Sequence, residues 1–220
     1  MRWRRQGLRL ALLVAVGVMC SGLGIVTYVL DALRVPELAS VDARFDVRGR
    51  QPSPRDLVVV SIDDVTFSDL GLRFPFPRSV HARLIDRLRA EGARVIAYDV
   101  QFTEASDPAQ DNALFDSVQR AGNVVLATAE VGPKGSTNVL GGDQNVHDAR
   151  ATAAWSNFPL DPGGVIRRFR YSFHGLPSIA VATVQRASGH RVKGSGTPWI
   201  DFRGPRGTIK TVSFSRALRG

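Results

Sequence analysis

No charged side chain occurs from Leu10 to Leu30, and Arg2, Arg4, Arg5 and Arg9 stand just before that run. A helix rises about 1.5 Å per residue, so such a run can cross the roughly 30 Å hydrocarbon layer of a bilayer. Gly17, Gly22 and Gly24 fall inside it and are tolerated in membrane helices. A cleaved signal peptide is the alternative, but its apolar core is about 7–15 residues long and ends at small residues. Tyr28-Val29-Leu30-Asp31-Ala32 is a poor exit of that kind, and Val18-Met19 before Cys20 do not suit a lipoprotein signal. The reading is therefore an uncleaved anchor over 10–30. Arginines stay on the cytoplasmic side. Residues 1–9 are then cytoplasmic, and the chain after Leu30 lies outside the plasma (inner) membrane. Cys20, the sole cysteine, is an apolar filler of the anchor. One cysteine also excludes an intrachain disulfide, a CxxC redox pair and a thiolate zinc site.

The 220 residues are 44% hydrophobic and 22% charged, which excludes a disordered tail, a collagen repeat and a coiled-coil rod. The formal net charge of +9 is partly N-terminal, since from Asp31 onward 25 basic residues face 20 acidic ones. The bases are nearly all arginine, with Lys134, Lys193 and Lys210 the only lysines, which reads as a compositional habit rather than a polyanion site. No nucleic-acid partner is expected.

The exported part reads as an α/β domain. Leu38, Val41 and Phe45 recur at helical spacing after Pro36, and Gly49–Pro54 is a linker by composition. Leu57–Ile62 is a β-branched run suited to a strand buried on both faces. Pro77 opens a helix whose Val80, Leu84, Ile85 and Leu88 form one face, stopped at Gly92. Arg94–Val100 is a second strand, Asp111–Ala121 a second helix and Val124–Thr128 a third strand. This βαβαβ order predicts parallel pairing with crossovers. The second half is a smaller mixed α+β part. It has a polar loop from Gly132 to Gly142, a half-exposed strand over Arg168–Phe173 and a helix over Ser178–Ala187. Short strands follow at Trp199–Phe202 and Thr211–Val212, then a helical turn from Ser215.

Several of these segments together resemble the type 2 CHASE domain, the extracytoplasmic sensory module of bacterial cyclases and kinases. Asp42-Ala43-Arg44-Phe45 is similar to its opening motif, and Val58–Asp64 to its first strand and acidic end. Phe74-Pro75-Phe76-Pro77-Arg78 stands where the family has Trp-Pro-Trp-Pro-Arg. Gly92–Phe102 and Ala121–Ala127 are similar to the next two strands. Asn157 and Asp161–Arg168 resemble its aspartate-glycine-arginine signature, and Pro177–Ala180 and Gly220 also fit. The resemblance implies a sensor domain over 36–220 and a membrane-anchored input module, with a homodimer expected. It also implies further transmembrane helices and a cytoplasmic output domain, a nucleotide (adenylate) cyclase, histidine kinase or Ser/Thr kinase. On that basis the chain is expected to be a fragment without catalytic activity or cofactor of its own.

Acids gather at predicted strand ends: Asp63 and Asp64 after the first strand, Asp99 after the second, then Glu104 and Asp107. In open α/β sheets ligands bind beyond the carboxyl ends of strands. Neighbouring strands lie about 4.8 Å apart, so facing carboxylates would repel or share a cation such as Mg²⁺ or Ca²⁺. The other reading makes these acids caps or arginine partners. Arg78 in the first turn of a helix calls for an anion, Asp63, Asp64 or Asp99. Arg167, Arg168 and Arg170 either hold an anionic ligand, or comprise one inward arginine paired with an acid and two solvated ones. The candidate ligand-binding residues are Asp63, Asp64, Arg78, Asp99, Glu104 and Arg167, with the small-molecule ligand unidentified and a metal left open. His81, His147, His174 and His190 are isolated and read as surface or second-half packing residues. The alternative functions are an exported metal-dependent hydrolase with Asp63 as nucleophile, for which Lys134 is poorly placed to assist, and a structural envelope protein.

Overall fold

Two compact units, Met1–Gln51 and Pro52–Gly220, make up the chain. The computed structural model describes residues 2–29 and 33–220, and within 2–29 the side chains of 7, 9, 11–26 and 28. Leu30 and Asp31, which end and flank the expected anchor, lie outside the described residues, as do Met1 and the side chains of Arg2, Arg4 and Arg5. The first unit contains α1 (Arg2–Val29) and α2 (Arg34–Arg48). Among the described residues no helix is long and apolar enough to cross a membrane. The described apolar side chains of α1, such as Leu13, Val18 and Met19, are exposed. Pro36 sits in the first turn of α2, where its missing N–H is not needed.

The second unit begins with β1 (Val59–Ser61), α3 (Asp64–Leu70), α4 (Arg78–Ala90), β2 (Ile96–Tyr98), α5 (Pro108–Ala121) and β3 (Val124–Thr128). After two 3-10 turns come α6 (Asp143–Asp148), β4 (Thr152–Trp155), the hairpin β5 (Ser172–Phe173) and β6 (Leu176–Pro177), and α7 (Ile179–Ser188). It closes with β7 (Thr211–Ser213) and α8 (Phe214–Arg219). Strands β2, β3 and β4 form a parallel sheet in that order. Every side chain of the central β3 is buried. On one face Leu84 and Ile85 of α4 and Leu114 and Val118 of α5 join Ile96, Val124 and Leu126 in the main core. On the other, Val125 and Ala154 pack with Ala182 of α7. Each fully buried Leu or Val contributes about 1.5–3 kcal/mol, which makes this sandwich the main source of stability.

Arg186 of α7 ties the sheet's entry end. It donates to the Thr152 hydroxyl at 3.1 Å, to the Gly122 carbonyl at 2.6 Å and to the Arg150 carbonyl.

The β1 expectation is corrected. Leu57, Val58 and Val59 are 45%, 46% and 41% exposed, so this run is not buried on both faces. Its ladder partner is β7, in parallel, and no ladder joins it to β2. With one partner strand, a β-branched run keeps an open edge. The Arg168–Phe173 strand shrinks to its last two residues, and Trp199–Phe202 to an isolated bridge between Trp199 and Arg168.

Candidate functional site

Asp63 follows β1 and is the N-cap of α3. Its Oδ1 accepts the Thr66 N–H at 2.9 Å and the Thr66 hydroxyl at 2.8 Å. Its Oδ2 accepts the Ser213 hydroxyl at 2.7 Å and the Ser61 hydroxyl at 3.2 Å. The Ser213 and Thr66 hydrogen bonds hold the carboxyl down at about 2. Asp69, near the other end of α3, accepts from the Ser215 hydroxyl at 2.8 Å and from Arg219. Those bonds also lower its pKa, Ser215 first. Both acids thus fasten α3 to the returning β7–α8 segment. Hydrogen-bonded carboxylates of this kind are structural anchors, and the capping reading holds for Asp63.

The remaining acids occupy separate settings. Asp64 is exposed in the first turn of α3, where the helix dipole favours a carboxylate. Asp107 caps α5, accepting from the N–H groups of Ala109 and Gln110. Asp99 is exposed beyond β2, and partial burial pushes its carboxyl up. Because β1 and β2 share no ladder, Asp63 and Asp99 do not terminate hydrogen-bonded neighbours, and that premise of a shared cation fails. Among the described residues no group of three or more His, Cys, Asp or Glu is placed to hold a metal ion.

Arg78 is the first residue of α4. Its anion is Asp111 at 2.7 Å, not Asp63, Asp64 or Asp99. It also donates to the Glu104 main-chain carbonyl, and its guanidinium lies 5.7 Å from the Phe102 ring centre. Ser79 bonds Gln110 and Asp86 bonds Ser117 further along, so α4 and α5 run side by side with their N-termini together. That alignment brings Asp111 to Arg78. Burial opposes the Asp111 charge, but the Ser106 hydroxyl and N–H and the Arg78 charge keep its carboxyl below the usual range.

His81 is a residue that the sequence reading misplaced. It is 1% exposed, on the core face of α4, and shares a 2.7 Å hydrogen bond with the Tyr98 hydroxyl. Phe102, Tyr98, Phe214 and Phe76 surround it with ring centres 5.3–6.0 Å away. Burial, aided by the Arg78 charge, depresses its pKa to about 4. Burial likewise pushes the Tyr98 hydroxyl up. A signal was available, because 81, 84, 85 and 88 complete an i, i+3, i+4, i+7 stripe. His147, His174 and His190 are exposed.

Arg167 is buried, with Nη1 3.7 Å from Asp161. Arg168 lies over the Trp199 ring at 4.1 Å, and Arg170 is exposed. This matches one inward arginine paired with an acid, but only Arg170 is turned out, since Arg168 is half-buried against Trp199. The turn between Asp161 and Arg167 needs Gly163 and Gly164, whose φ values are +85° and +73°. Of the six candidate residues, the structure joins Arg78 to Glu104 through the latter's main chain. It gives Asp63 and Arg167 structural partners, and it leaves Asp64 and Asp99 exposed.

A model described as the CHASE2 domain matches residues 10–219, nearly the whole chain. No curated protein and no solved structure matches it.

Proposed function

We propose, from the premise that this chain belongs to the CHASE2 domain family, that it is the membrane-anchored input module of a bacterial nucleotide cyclase or protein kinase. CHASE2 domains are extracytoplasmic sensor domains of signalling proteins, and such a domain is sensory rather than catalytic. The family match over 10–219 is the observation that carries the reading. The uncharged run Leu10–Leu30 and the basic residues before it support the anchor.

A sensor works when a ligand binds two states of the domain, or of a homodimer, with different affinity. The pairing of β1 with β7 supports this role. Through it a change at the first strand of the unit reaches the last, with α3 fastening both. The exposed carboxylates of Asp99 and of Glu104, whose main chain meets Arg78, are the groups we assign to first contact with a small molecule. A reporter active only after export, fused behind Gly220, tests the anchor and its orientation. Activity is expected there. Activity from a cytoplasm-only reporter at the same position overturns the reading.

A further inference from the structure

Residues 151–220 contain 11 Lys and Arg against two acids, Asp161 and Asp201, and so carry the whole +9 of the chain. Residues 1–150 balance to zero. Both acids lie beside arginines of the same segment, Asp161 at 3.7 Å from Arg167 and Asp201 at 3.5 Å from Arg203. Bases thus outnumber acids within the segment, although Arg219 meets Asp69 outside it and Arg186 is taken up by main-chain carbonyls.

Two of the basic residues, Arg168 and Arg170, share a surface with apolar ones. The segments around Arg168 and Trp199 meet at one antiparallel bridge, a minimal two-stranded ribbon. Phe169 N–H donates to the Pro198 carbonyl at 3.1 Å, Ile200 N–H donates to the Arg167 carbonyl at 2.9 Å, and Arg168 pairs with Trp199. Side chains alternate across a ribbon. Ile166, Arg168 and Arg170 therefore lie on one face with Trp199, while Arg167 turns inward. On that face Ile166 and Trp199 are 39% and 41% exposed, while Val165 and Phe202 fall on the alternate one.

We infer that this ribbon is a docking surface for anionic phospholipid, on which the sensor domain rests. Trp and aliphatic side chains that enter the boundary between headgroups and acyl chains, flanked by Arg and Lys that meet anionic headgroups, are the pattern of an interfacial membrane contact. A lone Trp199 ring beside aliphatic Ile166 gives successive nucleic-acid bases no row of rings to stack on, which favours lipid over a nucleic-acid strand. The inference rests on the anchor proposed above, which tethers the domain and raises the local concentration of lipid at the ribbon.

The test uses the full chain carrying Trp3→Phe, in nanodiscs of phosphatidylcholine alone or of phosphatidylcholine mixed with phosphatidylglycerol. Trp199 is expected to lose its quenching by acrylamide and to gain quenching by brominated acyl chains in the mixed discs only. High salt or Arg168→Gln with Arg170→Gln should reverse both changes, because screened or removed charges no longer hold the surface. Trp199→Phe should remove the lipid-quenched signal and leave that of the buried Trp155. Equal acrylamide access in both discs overturns the inference while the chain stays disc-bound. So does shielding of Trp199 by a single-stranded oligonucleotide but not by anionic lipid. A chain that fails to enter phosphatidylcholine discs overturns the anchor instead, and its capture by anionic discs alone would still support the ribbon.

Discussion

His81 shows how one side chain couples this core to pH. Its folded pKa of about 4 lies below the ordinary 6.5, so the unfolded chain binds a proton that the folded one refuses. The stability from neutral His81 is complete above pH 6.5 and is lost as pH falls through 4. The loss amounts to about 3 kcal/mol. Denaturation midpoints measured between pH 7 and pH 4 should fall along this arm, and His81→Phe should flatten it. At pH 7 that variant also strands the Tyr98 hydroxyl, at a cost of about 1–3 kcal/mol that Tyr98→Phe should relieve. Asp63 adds a separate arm, present above 3.8 and lost only near 2. Asp99 has the opposite sign, since a raised carboxyl pKa favours the folded state in acid and opposes it at neutral pH. Asp99→Asn should therefore raise the thermal midpoint at pH 7, and Asp63→Asn should lower it. Two changes of the same sign would contradict the geometry of one of the two sites.

At the scale of elements, caps and packing can be separated. Asp107→Ala removes the α5 cap and should cost about 1 kcal/mol, whereas Leu114→Ala in the same helix opens the core and should cost about 2–5 kcal/mol. Chemical denaturation resolves the two. The β7–α8 segment depends on Ser213, Ser215 and Arg219 reaching Asp63 and Asp69. Ser213→Ala with Asp69→Ala should speed hydrogen exchange at Val59, whose N–H meets the Lys210 carbonyl, and at the β7 amides. The amides of β3 should keep their protection. Uniform acceleration across both sheets would show that β7–α8 is not a separate unit of stability. Local pattern foretold some elements well. The run Val124–Thr128 is β-branched, and its burial between α4, α5 and α7 follows. Thr152-Ala153-Ala154-Trp155 is alanine-rich with weak strand preference, so β4 exists because β3 offers an open edge. The seven-residue α3 was hidden by its length, although Asp63 and Gly71 mark its two ends.

For the whole molecule, the main core draws only on residues of Pro52–Gly220, from Val60 to Leu218. A fragment spanning 52–220 should unfold in one cooperative transition, with calorimetric and van't Hoff enthalpies equal. Two resolved transitions would mean that the β1–β7 pair and the central sheet are separate folding units.

What the sequence by itself determined is what depends on neighbours along the chain. Helical stripes, caps such as Asp107, the glycine turn at Gly163-Gly164, the buried run of β3 and the ordered motifs of the family are all of this kind. Only the tertiary structure decided the long-range pairings. Asp63, Asp64, Asp99 and Asp111 are chemically equal partners for Arg78, and α4 and α5 had to lie side by side before Asp111 became the one at 2.7 Å. The β1 run could pair with any parallel strand, and β7 takes it from the far end of the chain. Such choices turn on the path of the backbone through space, because a carboxylate or a strand edge has the same local free energy whichever partner reaches it.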